Sequence, residues 1–250
     1  MSDLRTLFPD TRYNIAIPSN TYGTQLVYNT STDSVNNGGR CCAWTVPAGV
    51  CWAKFEVWGG GGDGGGACCC QQPSRGGGSG SYARKTIRVT PAQVFTICAG
   101  GTGCCAQNCQ GTRGFPSYAC NASATPDALA LCASGGCGGS SSCFFLTSGC
   151  YHCASFVDGS ACGHDFAICG ITGSAHEGSG CGYDAWSYTP QGSYFAGGVK
   201  VGMDFCVGWM GCQSIGGSSF PGGGGGSSMS HGGCCWGGWG AGGLVVITYK

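Results

Sequence analysis

Residues 51–58 read Cys51-Trp-Ala-Lys-Phe-Glu-Val-Trp58, and they break at once into Gly59-Gly-Gly-Gly-Asp-Gly-Gly-Gly66. In the first word Cys51, Ala53, Phe55 and Val57 alternate with Trp52, Lys54, Glu56 and Trp58. A period of two with one apolar face is that of a half-buried β-strand. The end of the chain has the same two parts in the opposite order. Gly240-Ala-Gly-Gly243 leads into Leu244-Val-Val-Ile-Thr-Tyr249, a second β-like word. Between these brackets lies most of a 250-residue chain with 52 Gly and 23 Cys. Ordinary chains carry about 7% Gly, so the composition is that of a shape-forming protein rather than a catalyst.

Further strands are expected on either side. Trp44-Thr-Val46, the turn residues Pro47-Ala-Gly49 and the strand to Trp58 read as a hairpin. A second pair follows. Ser81 to Thr90 places Ala83, Lys85, Ile87 and Val89 on one face, Pro91-Ala-Gln93 turns, and Val94-Phe-Thr-Ile-Cys98 returns. Only Thr125 to Cys132, with Asp127-Ala-Leu-Ala-Leu131, suggests a helical turn. Beyond Gly100 the chain is short apolar words separated by Gly, Ser and Cys, with no fixed repeat. Glycine backbones approach one another closely, so extended polyglycine runs can pack side by side through N–H and Cα–H hydrogen bonds. Ordering them is entropically costly. Flanking strands, aromatic plugs or crosslinks are needed to offset that cost. The expected fold is mostly β and irregular with little helix: short flanking strands around a packed, polyglycine-II-like interior.

Residues 1–40 differ from the rest. They hold no Cys, and their Gly are confined to Gly23, Gly38 and Gly39. This region reads as an N-terminal arm, an attachment segment or an edge strand, with Asn14-Ile-Ala-Ile-Pro18 and Thr24-Gln-Leu-Val-Tyr28 as short strands. Residues 41–250 form the glycine- and cysteine-rich domain.

Charge excludes several classes. Charged residues are 9% and the formal net charge is zero, so the basic footprint of a nucleic-acid binder is absent. The first residues lack a secretory h-region, and no stretch approaches the ~20 apolar residues of a membrane span. The expectation is synthesis in a cytoplasm, with release by lysis or within a particle. Twenty-three Cys is an odd number. The thiols either stay reduced as small packing groups or bridge after release into an oxidising medium.

The order of these words resembles the glycine-rich domain of bacteriophage tail fibres and related adhesins, including glycine-rich structural proteins of cyanobacterial phages. The resemblance rests on Trp44-Thr-Val-Pro-Ala-Gly-Val-Cys-Trp-Ala-Lys-Phe-Glu-Val-Trp-Gly-Gly-Gly-Gly62, on Gly76-Gly-Gly-Ser-Gly-Ser-Tyr-Ala83 with the strand to Thr90, on Val94-Phe-Thr-Ile-Cys-Ala-Gly-Gly101, and on Gly240 to Tyr249. It covers residues 43–101 and 236–250, and the Cys content departs from the family's usual low level. The resemblance implies a virion protein of a tail fibre or other surface appendage. It further implies a homo-oligomer, often trimeric, in contact with other virion proteins. The implied host receptor is a saccharide or an outer-membrane protein, bound without catalysis or cofactor.

Candidate sites follow from residue clustering. Tyr183, Trp186, Tyr188, Tyr194 and Phe195 form the densest aromatic word, suited to receptor contact because aromatic side chains on loops give rigid surface at low entropy cost. The bland alternative has these rings, with Trp209, Phe220, Trp236 and Trp239, plugging the glycine core. A competing metal site gathers Cys150, His152, Cys153, Cys162 and His164, a loosely zinc-like spacing. That cluster would make the chain a cysteine-rich metal-binding protein; an extracellular filament or matrix protein is the third reading. Catalysis finds little support. The four His sit in Gly/Ser/Cys-rich words, and no nucleophile elbow or phosphate loop is present.

Overall fold

The computed structural model describes residues 23–28, 39–68, 76–102, 111–121, 129–139, 164–170, 212–214, 220–226, 228–230, 234–235 and 237–250. None of these is helical; they form thirteen strands. Two antiparallel sheets dominate. The first has five strands in the order β1 (Gly23–Tyr28), β13 (Leu244–Tyr249), β3 (Trp52–Trp58), β5 (Tyr82–Arg88) and β9 (Phe166–Ile168). The second has four: β2 (Arg40–Thr45), β6 (Val94–Ala99), β7 (Ser117–Cys120) and β8 (Ala130–Ala133). Two small ribbons pair β10 (Cys212–Ser214) with β11 (Ser228–Ser230), and β12 (Cys234–Cys235) with β4 (Ala67–Cys68).

From Trp52 to Val57 the alternation has the expected physical effect, whereas Cys51, expected on the buried face, is exposed and Trp58, expected on the other face, is buried against Tyr82. Ala53, Phe55 and Val57 are buried between the sheets, and Trp52, Lys54 and Glu56 face outward. Val245, Ile247, Phe95, Ile97, Ala119 and Leu131 complete the core. Its aromatic centre is Trp44, whose ring lies 5.7 Å from both Phe55 and Phe95 and 5.6 Å from Tyr249. Cys42 lies opposite Ile97 and packs on this core. Burial pushes its thiol pKa up, and Arg40 pulls it partly back, so it behaves as a small neutral packing group.

Both expected hairpins are arches instead. β2 pairs with β6, while β3 pairs with β13 and β5. The turn at Pro47–Gly49 therefore carries the chain from one sheet to the other, and so does the turn at Pro91–Gln93. The reason is packing. The apolar faces on either side of each turn are worth more stacked across the core than side by side at its surface. The two arches interlock, with Val46 N–H donating to Gln93 O (2.9 Å) and Ala92 N–H to Val46 O (3.0 Å). The suggested helical turn is corrected where it is described: Ala130 to Cys132 lie in β8, with Leu131 opposite Ala119 in the core-facing ladder, while Thr125 to Ala128 lie outside the described residues. In the N-terminal arm, Thr24 to Tyr28 lies within β1 and pairs along β13. The strand expected at Asn14–Pro18 lies outside the described residues.

Below the sandwich the strands run on as glycine segments. Segment 59–66 follows β3, 100–102 follows β6 and 134–139 follows β8, while 76–81 precedes β5, 111–116 precedes β7 and 237–243 precedes β13. Segment 59–66 lies at the centre, and its amides take three partners in rotation. Gly59 donates to Ser81 O (2.9 Å), Gly60 to Phe115 O (3.0 Å) and Gly61 to Ala241 O (2.8 Å). The cycle then repeats: Gly62 to Gly78 O (3.0 Å), Asp63 to Thr112 O (2.9 Å) and Gly64 to Gly238 O (2.8 Å). A partner that recurs every third residue marks three residues per turn, the period of polyproline II, which has no internal hydrogen bonds.

Other segments bond to the central carbonyls. Gly136 N–H donates to Gly60 O, Gly139 N–H to Asp63 O and Gly225 N–H to Gly62 O, each at 2.8 Å. The surrounding segments also bond to one another in a ring: 76–81 to 134–139, then 111–116, 100–102, 237–243, 222–226 and back to 76–81. The result is one polyglycine helix surrounded by six, a hexagonal lattice of backbone.

At Gly61 and Gly62 this lattice has no room for a side chain. A Cβ built on Gly61 collides with Gly223 O, and one on Gly62 collides with Cys137 O. We predict that Gly61→Ala destabilises the protein by at least ~3 kcal/mol, because backbone rather than a flexible side chain must move. Equilibrium urea unfolding measures the loss. A second prediction concerns the disulfide between Cys41 and Cys98, which face each other across β2 and β6 and close a separation of 57 residues. Replacing both by Ala should lower the unfolding free energy by about 4 kcal/mol through loop entropy, read in the same titration.

Candidate functional site

The lattice has one side-chain carboxylate at its heart. Asp63 is 2% exposed. Its Oδ2 accepts a hydrogen bond from Thr112 Oγ1 at 2.6 Å, and its Oδ1 accepts one from Gly240 N at 3.0 Å. It thereby joins segments 111–116 and 237–243 through the central helix. Burial pushes its carboxyl above the ordinary carboxylate range, while Thr112 and Gly240 pull it partly back. At the boundary between sheet and lattice, the buried Ser117 hydroxyl donates to Trp58 O and accepts from Gly100 N. Sequence reasoning singled out neither residue. Asp63 carried a signal, being the one residue other than Gly in 59–66; Ser117 carried none.

The outer face of the five-stranded sheet mixes charged and aromatic side chains. Tyr82 OH donates to Glu56 Oε1 (2.7 Å), which shares its carboxylate with Lys54 Nζ (2.8 Å to Oε2). Arg88 lies over Trp52 and Arg84 over Phe166. Thr86 N–H donates to Asp165 Oδ2 at 2.7 Å, fixing the start of β9.

The expected site residues fall unevenly on this frame. His164 is exposed, one residue ahead of Asp165. Its proposed co-ligands Cys150, His152, Cys153 and Cys162 lie outside the described residues, as do Tyr183, Trp186, Tyr188, Tyr194 and Phe195. Trp209 and Trp236 lie outside them too. The plug reading is corrected for the remaining two aromatics: Trp239 is 57% and Phe220 48% exposed. The lattice interior among the described residues is closed by backbone and Asp63, because a ring cannot enter where a Cβ cannot.

The lattice has two unlike ends. One is continuous with the sandwich. Away from it lie residues 66, 76, 102, 111, 139, 226 and 237. The connections 67–75, 103–110 and 227–236 each leave from this far end and return to it. The ribbons are there as well: β4 directly follows residue 66, β12 precedes 237, and β10 and β11 neighbour β12. Gly170, the last described residue before β10, lies alongside Ser79 and Gly80. What the arrangement can do is hold many connections at one end of a rigid backbone block.

The fold is an antiparallel sandwich whose strands continue into a glycine lattice. The chain matches the family model described as a glycine-rich domain over residues 34–250, and it belongs to that family. No curated protein sequence matches it.

The third prediction concerns Asp63. Its neutral form is the one the fold favours. That stability is complete below the unfolded carboxyl's pKa and is lost as pH rises through the higher folded value. Asp63→Asn keeps an acceptor for Gly240 and supplies a donor to Thr112, so its melting temperature should exceed wild type at neutral pH and vary less with pH. Asp63→Ala leaves the Gly240 amide unpaired and should cost about 1–3 kcal/mol. Thermal melts followed by circular dichroism across the carboxylate range and up to neutrality test both.

Proposed function

We propose that the protein is a non-enzymatic phage virion component of a tail fibre or another surface appendage, which recognises or attaches to the host surface. The observation that carries this reading is the far end of the lattice. A block built almost wholly of backbone holds a group of connections at one end, as a recognition module requires. Membership of the glycine-rich domain family and the resemblance to tail-fibre adhesins support it. In this reading Tyr183, Trp186, Tyr188, Tyr194 and Phe195, which fall between Gly170 and β10, supply the receptor contact. The receptor is a saccharide or outer-membrane protein. Residues 1–40 attach the chain to other virion proteins, the assembly is a homo-oligomer with a trimer favoured, and no cofactor takes part.

Two measurements test it. Mass spectrometry of gradient-purified particles should find the chain; its recovery only from host cytosol would refute a virion role. Purified protein should bind cells of the infected strain, and Trp186→Ala should weaken that binding at least about tenfold with an unchanged melting temperature, as expected for an aromatic hot spot. Unaltered binding would remove the aromatic word from the contact.

A further inference from the structure

The sheet registers do not end where the lattice begins. β13 faces β3 from Tyr249 opposite Ala53 to Leu244 opposite Trp58. Gly61 then donates to Ala241 and Gly64 to Gly238. Beyond them Ala67 lies opposite Cys235, and Cys68 opposite Cys234. One residue forward on one chain is one residue back on the other throughout. The same continuity links β3 with β5 to the bonds of Gly59 with Ser81 and Gly62 with Gly78. It also links β7 with β8 to those of Gly114 with Gly136 and Gly111 with Gly139. The facing of Cys68 and Cys234 is thus the last step of a register set by the hydrophobic core.

Among the described strand pairs, Cys stands opposite Cys at two places. One is Cys41 with Cys98, which is bridged. The other is Cys68 with Cys234. Elsewhere a Cys faces a different residue, as Cys132 faces Tyr118 and Cys120 faces Thr96. Directly opposed residues of an antiparallel pair have Cα atoms about 4.5 or 5.5 Å apart, depending on the hydrogen-bonding position, and both values fall in the range a disulfide spans.

We infer that Cys68 and Cys234 form a disulfide that clasps the far end of the lattice. It ties the central segment 59–66 to segment 237–243, the pair already joined by the Gly61, Gly64 and Asp63–Gly240 bonds. Formation needs an oxidant, and a small-molecule disulfide such as oxidised glutathione supplies it. The Cys68 thiol loses its proton to water, and its thiolate attacks that disulfide, releasing one glutathione thiolate. The Cys234 thiolate then attacks the mixed disulfide and releases the second. Two protein thiols are oxidised and one glutathione disulfide is reduced to two thiols.

The test uses the full chain, folded in a glutathione redox buffer and alkylated without reduction. Peptide mapping with fragmentation that localises each sulfur should find Cys68 joined to Cys234, and not to Cys69, Cys70 or Cys235. A Cys68 that is alkylated, or joined to another Cys, overturns the inference. Labelling of variants gives an independent reading. Cys68→Ser should free one new alkylatable thiol, at Cys234, and Cys234→Ser should free one at Cys68. The single and double variants should share one lowered melting temperature, because the bridge acts as a unit. Unequal shifts, or a freed thiol at any other position, would refute it.

Discussion

Two backbones can lie against each other at hydrogen-bonding distance on every side only if neither carries a Cβ. That constraint governs this protein. Polyproline II leaves every N–H and C=O pointing outward, and a buried orphan among them is costly. The central helix meets the requirement by donating to three neighbours and accepting from others. The donors go to antiparallel neighbours, and the acceptors receive from parallel ones. Burial, composition and hydrogen bonding are therefore one fact: the glycines are present because the bonds require that spacing, and the bonds close because the glycines permit it. Asp63 is the exception that fits, since its side chain adds two bonds of its own rather than occupying a neighbour's place.

The entropy of ordering so many glycines has to be offset elsewhere. The sandwich does this. Phe55, Phe95, Ile97, Val245 and Ile247 are fully buried, and six of the seven lattice segments are direct continuations of its strands. Each of those six glycine runs is thus held at one end by the sandwich. Crosslinks add to this at the sheets, where Cys41 and Cys98 join β2 to β6. Not every cysteine serves that purpose, for Cys42 is a packing group.

What could be read in the sequence was local. The faces of residues 52–57 and 81–90, the turns at Pro47 and Pro91 and the polyglycine nature of the interior follow from periodicity and residue chemistry. Partner choice does not. An arch and a hairpin share the same alternating strands and the same short turn, and only the competition for a common core separates them. Within the lattice the difficulty is greater, because Gly61 and Gly62 are identical in chemistry yet bond to different segments. The aromatic word from Tyr183 to Phe195 stands out in the sequence by density alone, and the described residues do not include it. Asp63 was readable as the odd residue of its run, although nothing nearby in sequence pointed to Thr112 or Gly240 as partners.

The unbroken registers bear on how the chain reaches this state. Apart from Asp63, the central glycine run has no side chain with which to recognise its partners, so most of its backbone bonds would be remade after a slip by one turn. The strands, where a one-residue shift turns the apolar face to water, tell the right alignment from the wrong one more sharply. The order of events follows. The long-range closure that brings residues 53–58 and 244–249 together is expected to come first and to be slow, because these contacts lie so far apart in sequence. The glycine segments then zip away from the sheets, each new bond placed by the one before it. Alignment is thus specified mainly from the sheet end, where most of the side-chain information lies, toward the glycine end, where least of it does.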